Sequence, residues 1–289
     1  MDGVPLRFVE DVAFILSQPA RSNLCFCEHV LWRTGATKRL SEIEHFDLHV
    51  WMNASRLTFG YIASGDRTVE EIQEVKYPRY SSLRIRSYGS VNPVDRDALR
   101  PLFNIKHVEI FTMREVSYFD SYFPNFWPNY VNHMYIHNCK FNNASTISAW
   151  LKSTLKRNDL KVLSLYEVQY EGAEEDMEDD LFNTIMYGGA LSYIAMLDNV
   201  GLPNITMRLC SRLLHAWTAS EHGFTRNIQI GIPSEEADGQ DGNAVREEYF
   251  RSSGISNVRR DVNVTKHKSG KGSVHWARGG EWMTFRWRN

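Results

Sequence analysis

One short frame recurs along this chain at near-regular intervals: an apolar residue, a variable residue and a second apolar residue. The four copies are Leu83-Arg84-Ile85, Val108-Glu109-Ile110, Met134-Tyr135-Ile136 and Leu163-Ser164-Leu165. Their first positions, 83, 108, 134 and 163, lie 25, 26 and 29 residues apart. One such frame carries no information, because any half-buried strand alternates in this way. A recurrence constrains the fold much more. The third copy runs on as Met134-Tyr135-Ile136-His137-Asn138-Cys139-Lys140-Phe141. After it, Ile147, Trp150, Leu151 and Leu155 return at helical spacing, with Ser145 or Thr146 as a cap. The unit therefore reads strand, turn, helix, next strand.

Intervals of about 20–29 residues and the order L-x-L-x-x-N/C-x-L are those of leucine-rich-type repeats. Cys139 takes the N/C position and Phe141 the last apolar one. A unit of this size cannot close a core by itself, so units have to stack. The reading is an α/β fold. Its centre is an irregular leucine-rich-repeat-like solenoid over 41–232, a curved and mainly parallel sheet with helices on one side. The variable residues of the frame, Arg84, Glu109, Tyr135 and Ser164, are expected to line its open, solvent-facing side. His133 and His137 alternate with Met134 and Ile136 towards that same side.

The flanks read differently. Residues 4–16 place Phe8, Val12, Ile15 and Leu16 at near-helical spacing, with Pro5 where a first turn tolerates it. A second helical stretch is expected from Ser22 to about Trp32, fading by Thr34–Lys38. Together they make a short helical segment over 1–40. Alternation at Phe46, Leu48 and Val50, and again at Leu57, Phe59 and Tyr61, predicts two strands, with Gly65-Asp66 as a turn. Residues 171–180 form an acidic loop or the start of a helix through Leu181 and Ile185. A helix is expected over Met207–Trp217, a further strand at Ile228-Gln229-Ile230, and an exposed loop over 233–244. The last segment, 245–289, reads as a β-meander closing the same domain. From 251 to 289 it holds nine Lys/Arg against two Asp/Glu.

The chemistry expected is binding rather than catalysis. No G-x-x-x-x-G-K-[ST] loop and no G-x-S-x-G elbow occur. Cys25 and Cys27 make a C-x-C pair that no nearby Cys or His completes, so no metal or cofactor is expected and the thiols read as free. The formal net charge of −2 gives no general argument for nucleic acid or membrane. No basic, uncharged-apolar leader opens the sequence, and no window is long and apolar enough to span a bilayer. A cytoplasmic or nuclear protein is expected. The four N-x-S/T sequons, at Asn53, Asn143, Asn204 and Asn263, then read as chance matches.

The opening Met1-Asp2-Gly3-Val4-Pro5-Leu6-Arg7-Phe8-Val9-Glu10-Asp11-Val12 resembles the start of the expanded nematode F-box-like proteins. Ile147–Lys152 ahead of Leu160–Leu165 looks like the helix-then-strand core of their F-box-associated region. The basic turn Lys266–Gly272, the strand Val274–Trp276 and the aromatic Met283–Trp287 are similar in outline to their end. The resemblance implies a substrate-recognition adaptor of a cullin-type ubiquitin ligase. Val4, Pro5, Leu6, Phe8, Val12 and Ile15 would dock a Skp-type linker, and the repeat region would take a substrate protein. Two alternatives stay open. The first is a scaffold or obligate subunit without a ligase role, in which 4–16 only caps the sheet. The second is nucleic-acid binding through Lys266, Lys268, Lys271 and Arg278 with Trp276 and Trp282, although a protein partner is the favoured expectation.

Overall fold

Buried and outward side chains alternate along β1 (Glu44–Asn53), burying Phe46, Leu48, Val50 and Met52. In the computed structural model this strand pairs antiparallel with β2 (Thr58–Ala63) and parallel with β3 (Pro78–Arg86). The structure describes residues 5–16, 18–53, 58–75, 78–87, 94–103, 105, 107–124, 126–142, 144–157, 159–170, 177–200, 207–221, 224, 226–231, 263–276 and 282–287.

Ahead of the sheet stand three helices, α1 (Leu6–Ile15), α2 (Gln18–Cys25) and α3 (Val30–Glu42). The sequence pattern predicted two, with the second fading by Lys38. The difference lies in α3, whose buried residues among those described are Gly35 and Ala36. Gly35 and Ala36 let α1 approach so closely that a Cβ at Gly35 would stand 2.7 Å from Val9 Cγ1. Small residues leave almost no apolar periodicity to read.

Beyond β3 the chain repeats strand and helix. The strands are β4 (His107–Arg114), β5 (Tyr130–His137), the short β6 (Lys140–Phe141), β7 (Val162–Tyr166), the short β8 (Gln169–Tyr170), β9 (Tyr193–Leu197) and β10 (Asn227–Gly231). Helix α4 (Val69–Glu74) precedes β3. Helices α5 (Arg96–Leu99) and α6 (Phe119–Tyr122) are single turns on either side of β4. Helices α7 (Ala144–Lys156), α8 (Glu178–Tyr187) and α9 (Met207–Ala219) then separate the later strands. α7 starts at Ala144, so Ser145 and Thr146 both lie inside its first turn rather than capping it. The meander, β11 (Asn263–Lys266), β12 (Gly272–Trp276) and β13 (Trp282–Trp287), is antiparallel as expected and joins the same sheet through β10. The sheet order is β11-β12-β13-β10-β9-β7-β5-β4-β3-β1-β2. From β1 to β10 its strands are parallel and added in chain order, with only β2, β6 and β8 left out of that run. The acidic stretch 171–176 and the loop 233–244 lie outside the described residues.

Register turns this order into a core. Leu48, Leu83, Phe111, Met134, Leu163, Ile194 and Ile228 stand opposite one another across seven strands, all at most 1 % exposed. Val50, Ile85, Met113, Ile136, Leu165, Met196 and Ile230 form a second such row. Helices cover these rows: Trp150 of α7 meets Phe111 edge-on with ring centroids at 5.6 Å, and Trp217 of α9 meets Phe285 at 6.1 Å.

The register also corrects the second copy of the frame. Phe111-Thr112-Met113, not Val108-Glu109-Ile110, pairs with Leu83-Arg84-Ile85. Val-Glu-Ile-Phe-Thr-Met holds two overlapping alternations, and sequence alone cannot choose between them. Val108 instead aligns with Tyr80 and Val131, one buried position ahead of the frame. The steps along this row are therefore less even than the sequence suggested, from 23 residues (Phe111 to Met134) to 35 (Leu48 to Leu83). β9 is a copy that the sequence reading missed.

A turn recurs with the strands. Glu115, Asn138, Glu167 and Asp198 each stand two residues past the second buried row, with φ of 56°, 53°, 49° and 52°. Three of them donate their N–H to the carbonyl of the next strand's end: Glu115 to His137 (3.0 Å), Asn138 to Tyr166 (2.9 Å) and Glu167 to Leu197 (3.0 Å). The next residues are Val116, Cys139, Val168 and Asn199. The last uses both ends of its amide: Oδ1 accepts from Val168 N–H at 3.0 Å and Nδ2 donates to the Leu165 carbonyl at 3.1 Å. Asn199→Ala removes both bonds and strands two main-chain groups, so it is expected to destabilise the chain by about 1–3 kcal/mol in denaturant unfolding. An unchanged midpoint would mean that water replaces the amide.

Candidate functional site

Two surfaces present side chains that the core does not use. The first is on the N-terminal helices. α1 spends Val9 and Ala13 on its contact with α3, and Glu10 Oε1 meets Lys38 Nζ at 2.6 Å. Its other side leaves Leu6 39 % and Phe8 53 % exposed. Phe26, just past α2, is 86 % exposed, and Val30, which opens α3, is 63 % exposed. Half of the large apolar side chains exposed among the described residues thus belong to this unit. Of the expected docking residues, Pro5, Leu6 and Phe8 face outward and Val12 is half-buried. Val4 and the side chain of Ile15 lie outside what the structure describes. Phe26 and Val30 were missed because they flank an interhelical turn and belong to no helical stripe.

The second surface is the outward side of the sheet. Opposite one another across the strands stand His49, Arg84, Thr112, Tyr135, Ser164, Ala195 and Gln229. Arg84 and Tyr135 are half-exposed there, as expected. Glu109 is exposed but stands three residues before this row, and Thr112 takes its place. Ser164 is in the row yet only 8 % exposed, its hydroxyl 2.9 Å from His137 Nε2. Bulkier neighbours close over so short a side chain. The adjoining row runs Trp51, Arg86, Arg114, His137, Tyr166 and Leu197. It is an aromatic and cationic strip. His49 lies 6.1 Å from Trp51, and His137 lies 6.3 Å from Tyr135 and 6.2 Å from Tyr166 between ring centroids.

Three histidines on this side have lowered pKa values. For His137 burial is the main cause and Arg114 adds to it. For His133 burial and Lys161 outweigh Glu109. For His49 burial, Arg84 and Arg86 outweigh Asp47. Burial is the first cause in all three, and each also has a basic side chain nearby that adds to it.

The other candidate features contribute less. Lys266, Lys268 and Lys271 project from the β11–β12 turn, but the His267 between them is buried, its ring 4.9 Å from that of Trp217. Arg278 and the side chains of Trp276 and Trp282 lie outside the described residues. Of the acidic run, Glu178 and Asp179 hold Arg212 at 2.8 and 2.7 Å, tying α8 to α9. Burial pushes the Cys139 thiol up to about 12, so it stays protonated and donates to the His137 carbonyl at 3.2 Å. Among the described residues no group of three or more His, Cys, Asp or Glu side chains could hold a metal ion, and no helix is long and apolar enough to cross a membrane.

No protein-family profile matches the chain, and no curated protein or solved structure matches it either.

The histidines give a pH signature. Their folded pKa values lie below the unfolded value near 6.5, so the unfolded chain binds more protons on acidification. Stability is therefore expected to hold above pH 6.5 and to fall as pH drops through the folded values. Thermal melts from pH 7.5 to pH 5 should show the fall, and His133→Gln with His137→Gln should flatten it. A slope equal to wild type in the double variant would place the proton uptake elsewhere.

Proposed function

We propose that this chain is a protein-interaction adaptor built on irregular leucine-rich-type repeats, with no catalytic role. The observation that carries the reading is the recurrent turn. Buried positions follow the order L-x-x-L-x-L, then a left-handed residue, then Val116, Cys139, Val168 or Asn199. That is the order in which leucine-rich-type repeats place their core and their N/C position. Asn199 and Cys139 both bond main-chain groups of the strand-end turns from there. Stacked units of this kind present one side of a sheet to a partner.

In this reading the N-terminal unit is the second contact. Three helices with Leu6, Phe8, Phe26 and Val30 outward suit the docking of a Skp-type linker, which makes the chain a substrate-recognition subunit of a cullin-type ligase. The test is co-elution of the purified chain with such a linker in size-exclusion chromatography. Co-elution is expected for wild type and its loss for Phe8→Ala with Phe26→Ala. Both side chains are exposed, so the double variant should change stability by only about 0.5 kcal/mol. A wild-type chain that elutes alone removes the ligase role.

One observation favours a second reading, a repeat scaffold without a ligase. The guanidinium of Arg79 donates to the Leu16 carbonyl at 2.8 Å, joining the end of α1 to β3. α3 also leads into β1 through Ile43 alone. The three helices would then be the cover that the first edge of a stacked sheet requires.

A further inference from the structure

Arg86 on β3 and Arg114 on β4 stand directly opposite each other, on strands about 4.8 Å apart. Arg84 points to the same side, two residues and about 7 Å along β3. Like charges placed directly across a sheet destabilise it. Among the described residues none of these three arginines is in an ion pair, although Glu and Asp side chains pair with basic groups elsewhere on the surface. Both Arg86 and Arg114 are exposed, so their charges are turned to solvent rather than to a carboxylate of the described fold. Trp51 flanks Arg86 on one side and His137 flanks Arg114 on the other, so aromatic rings frame the pair.

The cations stop abruptly. On β7, β9 and β10 the same two rows continue as Ser164, Ala195 and Gln229, and as Tyr166, Leu197 and Gly231. Tyr193, at the start of β9, is 37 % exposed. Beyond β5 these two rows carry no cation: Ser164 and Ala195 are buried, Gln229 is half-buried, and Tyr166 and Leu197 are half-exposed, with the Tyr166 hydroxyl hydrogen-bonded to Glu167. From β3 to β9 is four strand spacings, about 19 Å, which an extended peptide of about six residues covers.

We infer that this side binds an extended segment of a partner protein in which acidic residues are followed by apolar ones. The carboxylates sit on Arg84, Arg86 and Arg114, and the apolar continuation lies over Tyr166, Leu197 and Tyr193. This rests on the reading of the open side as the recognition surface and adds the chemistry of what it recognises. Arginine suits the role because its planar fork takes a carboxylate through two parallel bonds. The chain as a whole has a formal charge of −2, so the patch is local rather than a general basicity. A nucleic-acid strand is the poorer fit. Its phosphates need cations along the whole track, and this track is cationic over two of the strands it would cross.

The test is fluorescence anisotropy of the intact chain with three labelled probes. One is a ten-residue peptide of acidic then apolar residues, one is its amide analogue with Asn and Gln for Asp and Glu, and one is a single-stranded RNA of ten nucleotides. The acidic peptide should bind, and the amide analogue should bind about tenfold more weakly, the effect of losing a charge-assisted contact. Arg86→Gln with Arg114→Gln should weaken the acidic peptide by about the same factor. Both side chains are exposed and in no ion pair among the described residues, so the melting temperature of this double variant should equal or exceed that of wild type. A lower melting temperature would make the arginines structural and overturn the inference. Equal binding of both peptides, lost in Tyr135→Ala with Tyr166→Ala, overturns the acidic preference while the recognition surface stands. If no probe responds to either pair of substitutions, the surface itself is wrong. Preference for the RNA replaces the peptide with a nucleic acid.

Discussion

Leu48, Leu83, Phe111, Met134, Leu163, Ile194 and Ile228 touch across seven strands in register, and the rest of the molecule is arranged around that contact. No strand with its helix has enough apolar surface to exclude water alone. Each buries its row only against the rows on either side. The constraint reaches outward from there. Strands have to follow in chain order, because each unit presents its next strand to the free edge of the last. The turns have to lift the chain at the same height each time. Glu115, Asn138, Glu167 and Asp198 do this in a left-handed conformation that side chains longer than Asn or Asp adopt at a cost. The stacked hydrogen bonds of the turn hold them there.

The same contact fixes what is left for binding. Side chains alternate across a strand, so a row that is buried without exception leaves an opposite row whose composition is free. In this chain that freedom is used unevenly. Small residues, Thr112, Ser164 and Ala195, sink between their neighbours. Arginine, histidine and aromatic residues stand above them. Two arginines face each other at a position where stability alone would favour opposite charges.

The N-terminal helices obey a different rule. Gly35 lets α3 come against Val9 of α1, and Ala13 and Ala36 are fully buried there. A unit packed on its own core would be expected to hide its larger side chains. Leu6, Phe8, Phe26 and Val30 are outward instead. A partner that covers them would bury apolar surface that the described fold leaves open.

Much of this was legible in the sequence. The strands at Leu48, Leu83, Met134, Leu163 and Ile228 follow from apolar alternation, a local property of the chain that burial on one side imposes. The helices over Ala144–Lys156 and Met207–Ala219 and the terminal meander follow in the same way. The outward placement of Arg84, Tyr135, His133 and His137 comes with the strands that carry them. Register does not. Choosing Phe111-Thr112-Met113 over Val108-Glu109-Ile110 takes the neighbouring strands, because both alternations are locally sound. This is why Glu109 was expected where Thr112 stands. α3 and the approach at Gly35 leave no apolar stripe, and the exposure of Phe26 and Val30 depends on which side of each helix its neighbours take. The sequence by itself determined which segments could become strands and which side of each strand is apolar, since both are written in spacing along one chain. Only the tertiary structure decided which residues stand opposite one another, and with that the opposed Arg86 and Arg114, because register is a relation between segments that no single segment carries.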